Sequence, residues 1–220
     1  MVTTIRRNML PDIDALRRLS QSLAMLDAII SPQWESRYYS FNSTWGSGEM
    51  MASMRNGSGD DYFLLFNAAG AILKGFAHES PMTPYANRDY KVWPGVLDNV
   101  PTEFASFLSE PAFTLEDTTF CLWRRHADSN WQVGEIEYPS DDLDPDGSDA
   151  LLVILDGQAA TYQEFAESYY ERSVDLSSVE KIYQHRPLTQ ELISALNPEL
   201  SPEDLAADIL EIAYPSNRAA

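Results

Sequence analysis

The apolar positions are most concentrated in two runs, residues 62–66 and 71–77, which are separated by a short break containing Asn67 and Gly70. Gly70 can adopt a positive φ without steric cost, and the Asn67 side chain favours the start of a turn. The pattern therefore predicts a β-hairpin. Because both runs are continuous rather than alternating, we expect this hairpin to be buried on both faces at the centre of a sheet.

The neighbouring segments add further strands to the hairpin. Residues 37–45 and 49–55 show a period-two pattern on either side of a glycine-rich turn, which is typical of paired antiparallel strands. Residues 119–126 and 131–138 predict two later strands, and the continuous apolar run at 150–155 predicts a buried strand. The sheet is therefore expected to be mainly antiparallel.

An N-terminal helix is predicted at residues 11–30 from six apolar side chains at three- and four-residue spacing: Ile13, Leu16, Leu19, Leu23, Leu26 and Ile30. Pro11 fits the first helical position, and Gln21 falls on the opposite, polar face. A short helix is expected at residues 101–108. Both helices have one apolar face, so we expect them to pack on the sheet.

Four residues near the C-terminus are typical of helix starts, namely Thr161, Ser177, Thr189 and Ser201. The order of elements predicts a single α+β domain over residues 1–220. Its sheet-rich part spans residues 31–156, and its helical part spans residues 158–214. The N-terminal helix and the C-terminal helices are expected to pack on a mainly antiparallel sheet built on the central hairpin.

Composition places the chain among soluble globular proteins. Its 220 residues are 44% apolar and 11% aromatic, which excludes a disordered chain and allows a sizeable core. Cys121 is the single cysteine, so no internal disulfide and no cysteine-based metal cluster can form. No run approaches the roughly 18–20 apolar residues of a membrane helix, and acidic residues interrupt the N-terminal segment. We expect a cytoplasmic protein.

The charge is strongly acidic and unevenly distributed. The formal net charge is −19, and residues 135–220 hold 19 acidic residues against four basic ones. Such a surface repels nucleic acid and anionic membranes, and it attracts a basic protein or peptide. Solubility alone is the alternative explanation of this charge.

Sequence motifs of catalysis are absent. The Gly-Ser-Gly triplets at 46–48 and 57–59 lack the spacing of a nucleophile elbow, and the sequence has no glycine-rich phosphate-binding motif. We therefore expect no cofactor, and a non-enzymatic function is favoured over an enzymatic one.

Two candidate sites nevertheless deserve testing against a structure. His78 and Glu79 end the central hairpin, and Arg124 with His126 ends a later strand. If these strand ends meet, His78, Glu79 and His126 could perform acid–base catalysis on an anionic substrate. Alternatively, the arginines neutralise nearby carboxylates and the histidines have no catalytic role.

A second candidate is a binding surface that includes the long loop 80–95, with these residues: Tyr85, Arg88, Tyr90, Trp93, Arg124 and Arg125.

An acidic loop supplies a candidate metal site. Asp142, Asp144 and Asp146 match the first, third and fifth positions of an EF-hand calcium loop, and a glycine follows at the sixth. Val153 occupies the twelfth position, where a bidentate glutamate is required. The favoured interpretation is a turn that binds no metal.

Part of the chain resembles a known family. The order of the 101–108 helix, the strands and the capped helix at 161–172 is similar to that of the SUKH-type immunity proteins of bacteria. The resemblance covers these general elements and assigns no site residue. The leading hypothesis is a non-enzymatic acidic protein-binding module, for which an immunity-like or regulatory role would fit. The alternative is a small-molecule enzyme with its site near His78 and Arg124.

Overall fold

A computed structural model describes residues 10–86, 89–139 and 143–216. Five antiparallel strands form one sheet in the order β1-β2-β3-β4-β5. The strands are β1 (Tyr39–Gly46), β2 (Glu49–Arg55), β3 (Asp61–Asn67), β4 (Gly70–Phe76) and β5 (Phe120–Arg125). With the helices described below, the sheet confirms the expected α+β class.

The hairpin of β3 and β4 lies at the centre of the sheet, as predicted. Leu64 pairs with Leu73 across it, and both side chains are fully buried on one face. Leu65 is buried on the other face. Gly70 adopts a φ of 153°, and a Cβ at this position would lie 2.1 Å from the carbonyl oxygen of Arg124. The turn therefore needs glycine both for its backbone conformation and for the close approach of β5.

Seven α-helices are present in the described residues: α1 (Ile13–Ile30), α2 (Ala105–Leu108), α3 (Ser148–Leu151), α4 (Ala159–Tyr169), α5 (Leu176–Tyr183), α6 (Gln190–Leu196) and α7 (Ala206–Ile212). Helix α1 and the C-terminal helices pack on the face of the sheet that contains Leu64. No helix among the described residues is long and apolar enough to span a membrane.

Helix α1 is more enclosed than its sequence pattern predicts. Gln21, expected on a polar face, is buried and donates a hydrogen bond to the carbonyl oxygen of Ile212 at 2.8 Å. The predicted start at Pro11 is wrong by two residues, because the Asp12 carboxylate caps the helix by accepting from the amide of Ala15. The second half of α1 is therefore buried on all sides, whereas its first half leaves Asp14, Ala15 and Arg18 exposed.

The second face of the sheet is covered over β3, β4 and β5 by side chains from residues 82–86 and 89–113. The buried side chains of this cover are Met82, Val96, Phe104, Phe107 and Phe113. Over β1 and β2 the same face is less covered, and two adjoining clefts open there. The hydroxyls of Ser40 and Ser53, 2.7 Å apart, line both clefts.

Two predicted strands are absent. Residues 131–138 make only an isolated bridge between Trp123 and Gln132, because Gly134 passes so close to the carbonyl oxygen of Gly95 that a Cβ would lie 1.8 Å from it. The predicted strand at 150–155 is α3 followed by the 3-10 helix Val153–Asp156. An apolar run of this length is compatible with either structure.

The predicted helix starts are confirmed in one case of four. The Thr189 hydroxyl accepts from the amide of Leu192 and caps α6. Thr161 lies inside α4, and α5 is capped by Asp175 two residues before Ser177. Helix α7 begins at Ala206, five residues after the expected start at Ser201. Helices α4 and α7 begin without a side-chain cap, so a cap motif in the sequence did not mark their starts.

Candidate functional site

The antiparallel register gives the sheet two chemically different ends. At one end, β1 and β3 begin and β2 and β4 finish. There Asp61, the first residue of β3, pairs with Arg55 at the end of β2 and with Phe76 at the end of β4. We call this the Arg55 end. At the opposite end β5 finishes at Arg125, which pairs with Gly70. We call that the Arg125 end.

The residues of the alternative catalytic site are not brought together. His78 follows β4 at the Arg55 end, whereas His126 lies at the Arg125 end, where its amide donates to the carbonyl oxygen of Ala69. Strand β4 separates them by about 20 Å, from a rise of about 3.3 Å per residue. Glu79 is exposed and lies 4.0 Å from the ring of His78. These residues therefore cannot act together on one small substrate.

His78 forms a pair with a different carboxylate. Its Nδ1 lies 2.7 Å from Asp60 Oδ1, and its backbone amide donates to the same oxygen. The hydrogen bond to Asp60 raises the pKa of the imidazole, and the bonds from His78 lower the pKa of Asp60 despite its partial burial. The pair holds the chain as it leaves β4.

The basic cluster formed by Arg124 and Arg125 at the end of β5 contacts the turn that follows the strand. The guanidinium of Arg125 donates to both carboxylate oxygens of Asp128 at 3.2 and 3.1 Å, and Arg124 donates to the backbone carbonyl of Asp128. The hydrogen bonds from Arg125 lower the pKa of Asp128. These contacts close the turn after β5, so the cluster has a structural role.

The acidic loop uses its carboxylates to bind backbone amides. Asp144 accepts from the amides of Asp149 and Ala150, both at 2.9 Å, and Asp146 accepts from the amide of Ser148 at 3.0 Å. Burial raises the pKa of Asp146 to about 6. Asp142 lies outside the described residues. Within those residues, no cluster of three or more metal-ligating side chains occurs.

The loop after β4 exposes two tyrosines at the Arg55 end. Tyr85 is 60% exposed; its ring lies 6.0 Å from that of Phe76, and its hydroxyl donates to the Asp117 carboxylate at 2.8 Å. Tyr90 is 66% exposed, lies 6.1 Å from Tyr85 and adopts a φ of 50°. A non-glycine residue seldom adopts such a φ. The pair forms a solvent-facing aromatic surface.

The structure describes one of the two other residues proposed in this loop. The Trp93 indole donates to the carbonyl oxygen of Glu137 at 3.0 Å, which ties the loop to the segment after β5. Arg88 lies outside the described residues.

Two further exposed aromatics at the Arg55 end were not identified from the sequence. Trp34 is 53% exposed and Tyr169 is 48% exposed, and both line a cleft of about 230 Å³ together with Tyr38 and Arg55. The backbone carbonyl of Tyr38 accepts from the amide of Arg55, which fixes this cleft at the Arg55 end. The four large aromatic side chains that are exposed in the described part of the chain therefore all lie at that end.

A buried carboxylate positions this cleft. Asp27 of α1 accepts from the amides of Tyr38 and Tyr39, both at 2.8 Å, and from the Tyr162 hydroxyl at 2.7 Å. Burial raises the pKa of Asp27 to about 6, although these hydrogen bonds and the nearby Tyr170 hydroxyl favour the charged form. Asp27 thus fixes the start of β1 against α1 and α4.

Carboxylates surround the exposed aromatics. The acidic residues at or beside this end are Glu35, Asp60, Asp61, Glu79, Glu116 and Asp117. Burial raises the pKa of Asp61 to about 6, against the opposing attraction of Lys74 and Arg55. Lys74 is fully buried; its ammonium donates to the carbonyls of Thr114 and Asp117, and burial lowers its pKa. Its charge is therefore turned away from solvent.

No pattern in the sequence indicates that the exposed aromatic residues of the Arg55 end lie close together. Trp34, Tyr85 and Tyr169 are far apart in the chain, and a single exposed aromatic residue carries no functional information. Their common location follows only from the strand register and from the packing of α4 on β1.

No protein-family model, curated protein or solved structure matches the chain. Its function must therefore be inferred from the geometry of the described residues.

Proposed function

We propose that the protein is a non-enzymatic module that binds a basic protein or peptide through the Arg55 end of its sheet. The observation that supports this function is the location of four exposed aromatic side chains, in two pairs, and of a group of carboxylates at that end. Tyrosine, tryptophan and arginine are the residue types enriched at the energetic centres of protein interfaces. An immunity-like or regulatory role in the cytoplasm fits such binding.

The charge and the aromatic residues have different tasks in this proposal. The net charge of −19 steers a basic partner towards the protein, but its field extends only about 8 Å at physiological ionic strength. Affinity must come from burial of the exposed rings, which contribute large contact areas. Nucleic acid and anionic membranes lack the required positive charge, so neither is a proposed partner.

Selection from a library of short random peptides tests this function. We expect the selected peptides to be rich in lysine and arginine and to bind less tightly as the salt concentration rises. The double variant Tyr85→Ser/Tyr90→Ser should lose at least about tenfold in affinity, because a ring that anchors an interface contributes more than 1 kcal/mol. The matched control is Leu210→Ser, since Leu210 is 80% exposed on α7 and lines neither cleft.

The proposal fails if the selected peptides show no enrichment in basic residues. It also fails if their affinity is the same for the double tyrosine variant and for the wild-type protein. A loss of affinity in Leu210→Ser equal to that in the tyrosine variant would place the interface on α7 instead.

A further inference from the structure

The cleft beside β1 has two aromatic walls at a right angle. The rings of Tyr38 and Tyr169 lie 5.0 Å apart with an interplanar angle of 76°. Phe165 supports both, because it contacts the Tyr38 ring edge-on at 4.8 Å and stacks on Tyr169 at 5.5 Å. Trp34 lines the same cleft, whose volume is about 230 Å³. The two tyrosine rings therefore pack on each other and border the cleft together with Trp34.

The charged side chains that line this cleft are those of Glu35, Arg37 and Arg55. Glu35 contributes a carboxylate. The charge of Arg37 is cancelled, because its guanidinium forms an ion pair with Asp208 and also donates to the carbonyls of Ser31 and Pro32. Arg55 is the opposing charge. Its guanidinium lies 5.4 Å above the ring of Phe63, and it is attracted to Asp61.

We propose that the cleft lined by Trp34, Tyr38 and Tyr169 receives the cationic side chain of a lysine or arginine from the basic partner. The faces of aromatic rings attract ammonium and guanidinium groups, and tryptophan is the strongest of the three ring types. This inference rests on the function proposed above and names the residue that the site recognises. Tyr85 and Tyr90 then contact other parts of the same partner.

The indole N–H signals of the five tryptophans report binding directly in an NMR titration. The signal of Trp34 is identified by its absence from the Trp34→Phe variant. The probes are the N-acetyl amides of lysine and arginine, with those of norleucine and glutamate as neutral and anionic comparisons. Trp93 and Trp131 serve as internal references, because their indoles donate to the backbone carbonyls of Glu137 and Pro11.

We expect the lysine and arginine probes to shift the Trp34 signal in a saturable manner, and the norleucine and glutamate probes to leave it in place. Trp34→Leu should weaken binding of the cationic probes by roughly two- to fivefold, judged from the Tyr38 and Tyr169 signals, whereas Trp34→Phe should retain more of it. Arg55→Gln should strengthen binding, because it removes the like charge. The control Leu210→Ser should behave as the wild-type protein does.

Several results would overturn the inference. An equal shift with norleucine would show an apolar contact, and a shift with glutamate alone would show an anion held by Arg55. The absence of any Trp34 shift would also overturn it. If basic peptides still bound through Tyr85 and Tyr90 in that case, the proposed function would stand and only this cleft would be excluded.

Discussion

Replacement of Asp27 by asparagine should stabilise the protein at neutral pH. The side chain is fully buried, and burial raises its pKa from 3.8 to about 6. In asparagine, the Oδ1 atom can still accept from the amides of Tyr38 and Tyr39. Its Nδ2 group can donate to the hydroxyl oxygen of Tyr162, which accepts as well as donates. The substitution therefore keeps the two amide hydrogen bonds, reverses the direction of the bond to Tyr162 and removes the buried charge.

The magnitude follows from the pKa of Asp27. A rise from 3.8 to about 6 means that ionisation costs the folded protein about 3 kcal/mol, at 1.36 kcal/mol for each pKa unit. We therefore expect Asp27→Asn to gain up to about 3 kcal/mol near neutral pH. Asp27→Ala removes the same charge but leaves the amides of Tyr38 and Tyr39 and the Tyr162 hydroxyl buried without an acceptor, at about 1–3 kcal/mol for each group, so it should be clearly less stable than Asp27→Asn.

The pH dependence has a definite sign. Because the folded pKa of Asp27 lies above the unfolded value, the folded state binds the proton more tightly between 3.8 and about 6. The contribution of Asp27 to the stability of the wild-type protein is therefore fully present below pH 3.8, and it is lost as the pH rises through about 6. The advantage of Asp27→Asn should therefore shrink by about 1 kcal/mol between neutral pH and about pH 5.

Urea unfolding of the wild type, Asp27→Asn and Asp27→Ala at the two pH values measures these differences. Comparing wild type with variant at each pH cancels the effect of the other groups whose pKa values are raised, such as Asp61 and Asp146. If Asp27→Asn destabilises the protein as much as Asp27→Ala at both pH values, the buried carboxylate is a net source of stability and our reasoning is wrong.

Three further predictions concern other parts of the chain. Leu64→Ala should cost about 2–5 kcal/mol of unfolding free energy by denaturant titration, because Leu64 is fully buried, whereas Leu210→Ala should change it by less than about 0.5 kcal/mol. Millimolar calcium should leave the Tm unchanged, because the Asp144 oxygens already accept hydrogen bonds from backbone amides. A rise in Tm equivalent to roughly 2.7 kcal/mol of stabilisation, the value expected at 100 times Kd, would contradict this if Asp144→Asn abolished it. The pKa of the His78 imidazole, followed by NMR, should fall in Asp60→Asn, and an unchanged value would mean that the pair does not form in solution.

The hairpin could be predicted because its signals are local. The continuous apolar runs at 62–66 and 71–77 require burial on both faces, and Gly70 marks the turn between them. The apolar stripe of α1 and the cap at Thr189 are local in the same sense, since each depends on residues within a few positions. The α+β class follows from such elements alone.

The arrangement of the site could not be predicted, because it depends on contacts between distant parts of the chain. The antiparallel register places His78 near one end of β4 and His126 near the other, although both histidines stand at the end of a predicted strand. The packing of α4 on β1 brings Tyr169 to Tyr38, and the resulting cleft also includes Trp34. The burial of Asp27 is likewise decided only when β1, α1 and α4 pack together, since a single aspartate in an apolar helix does not show by itself what will cover it.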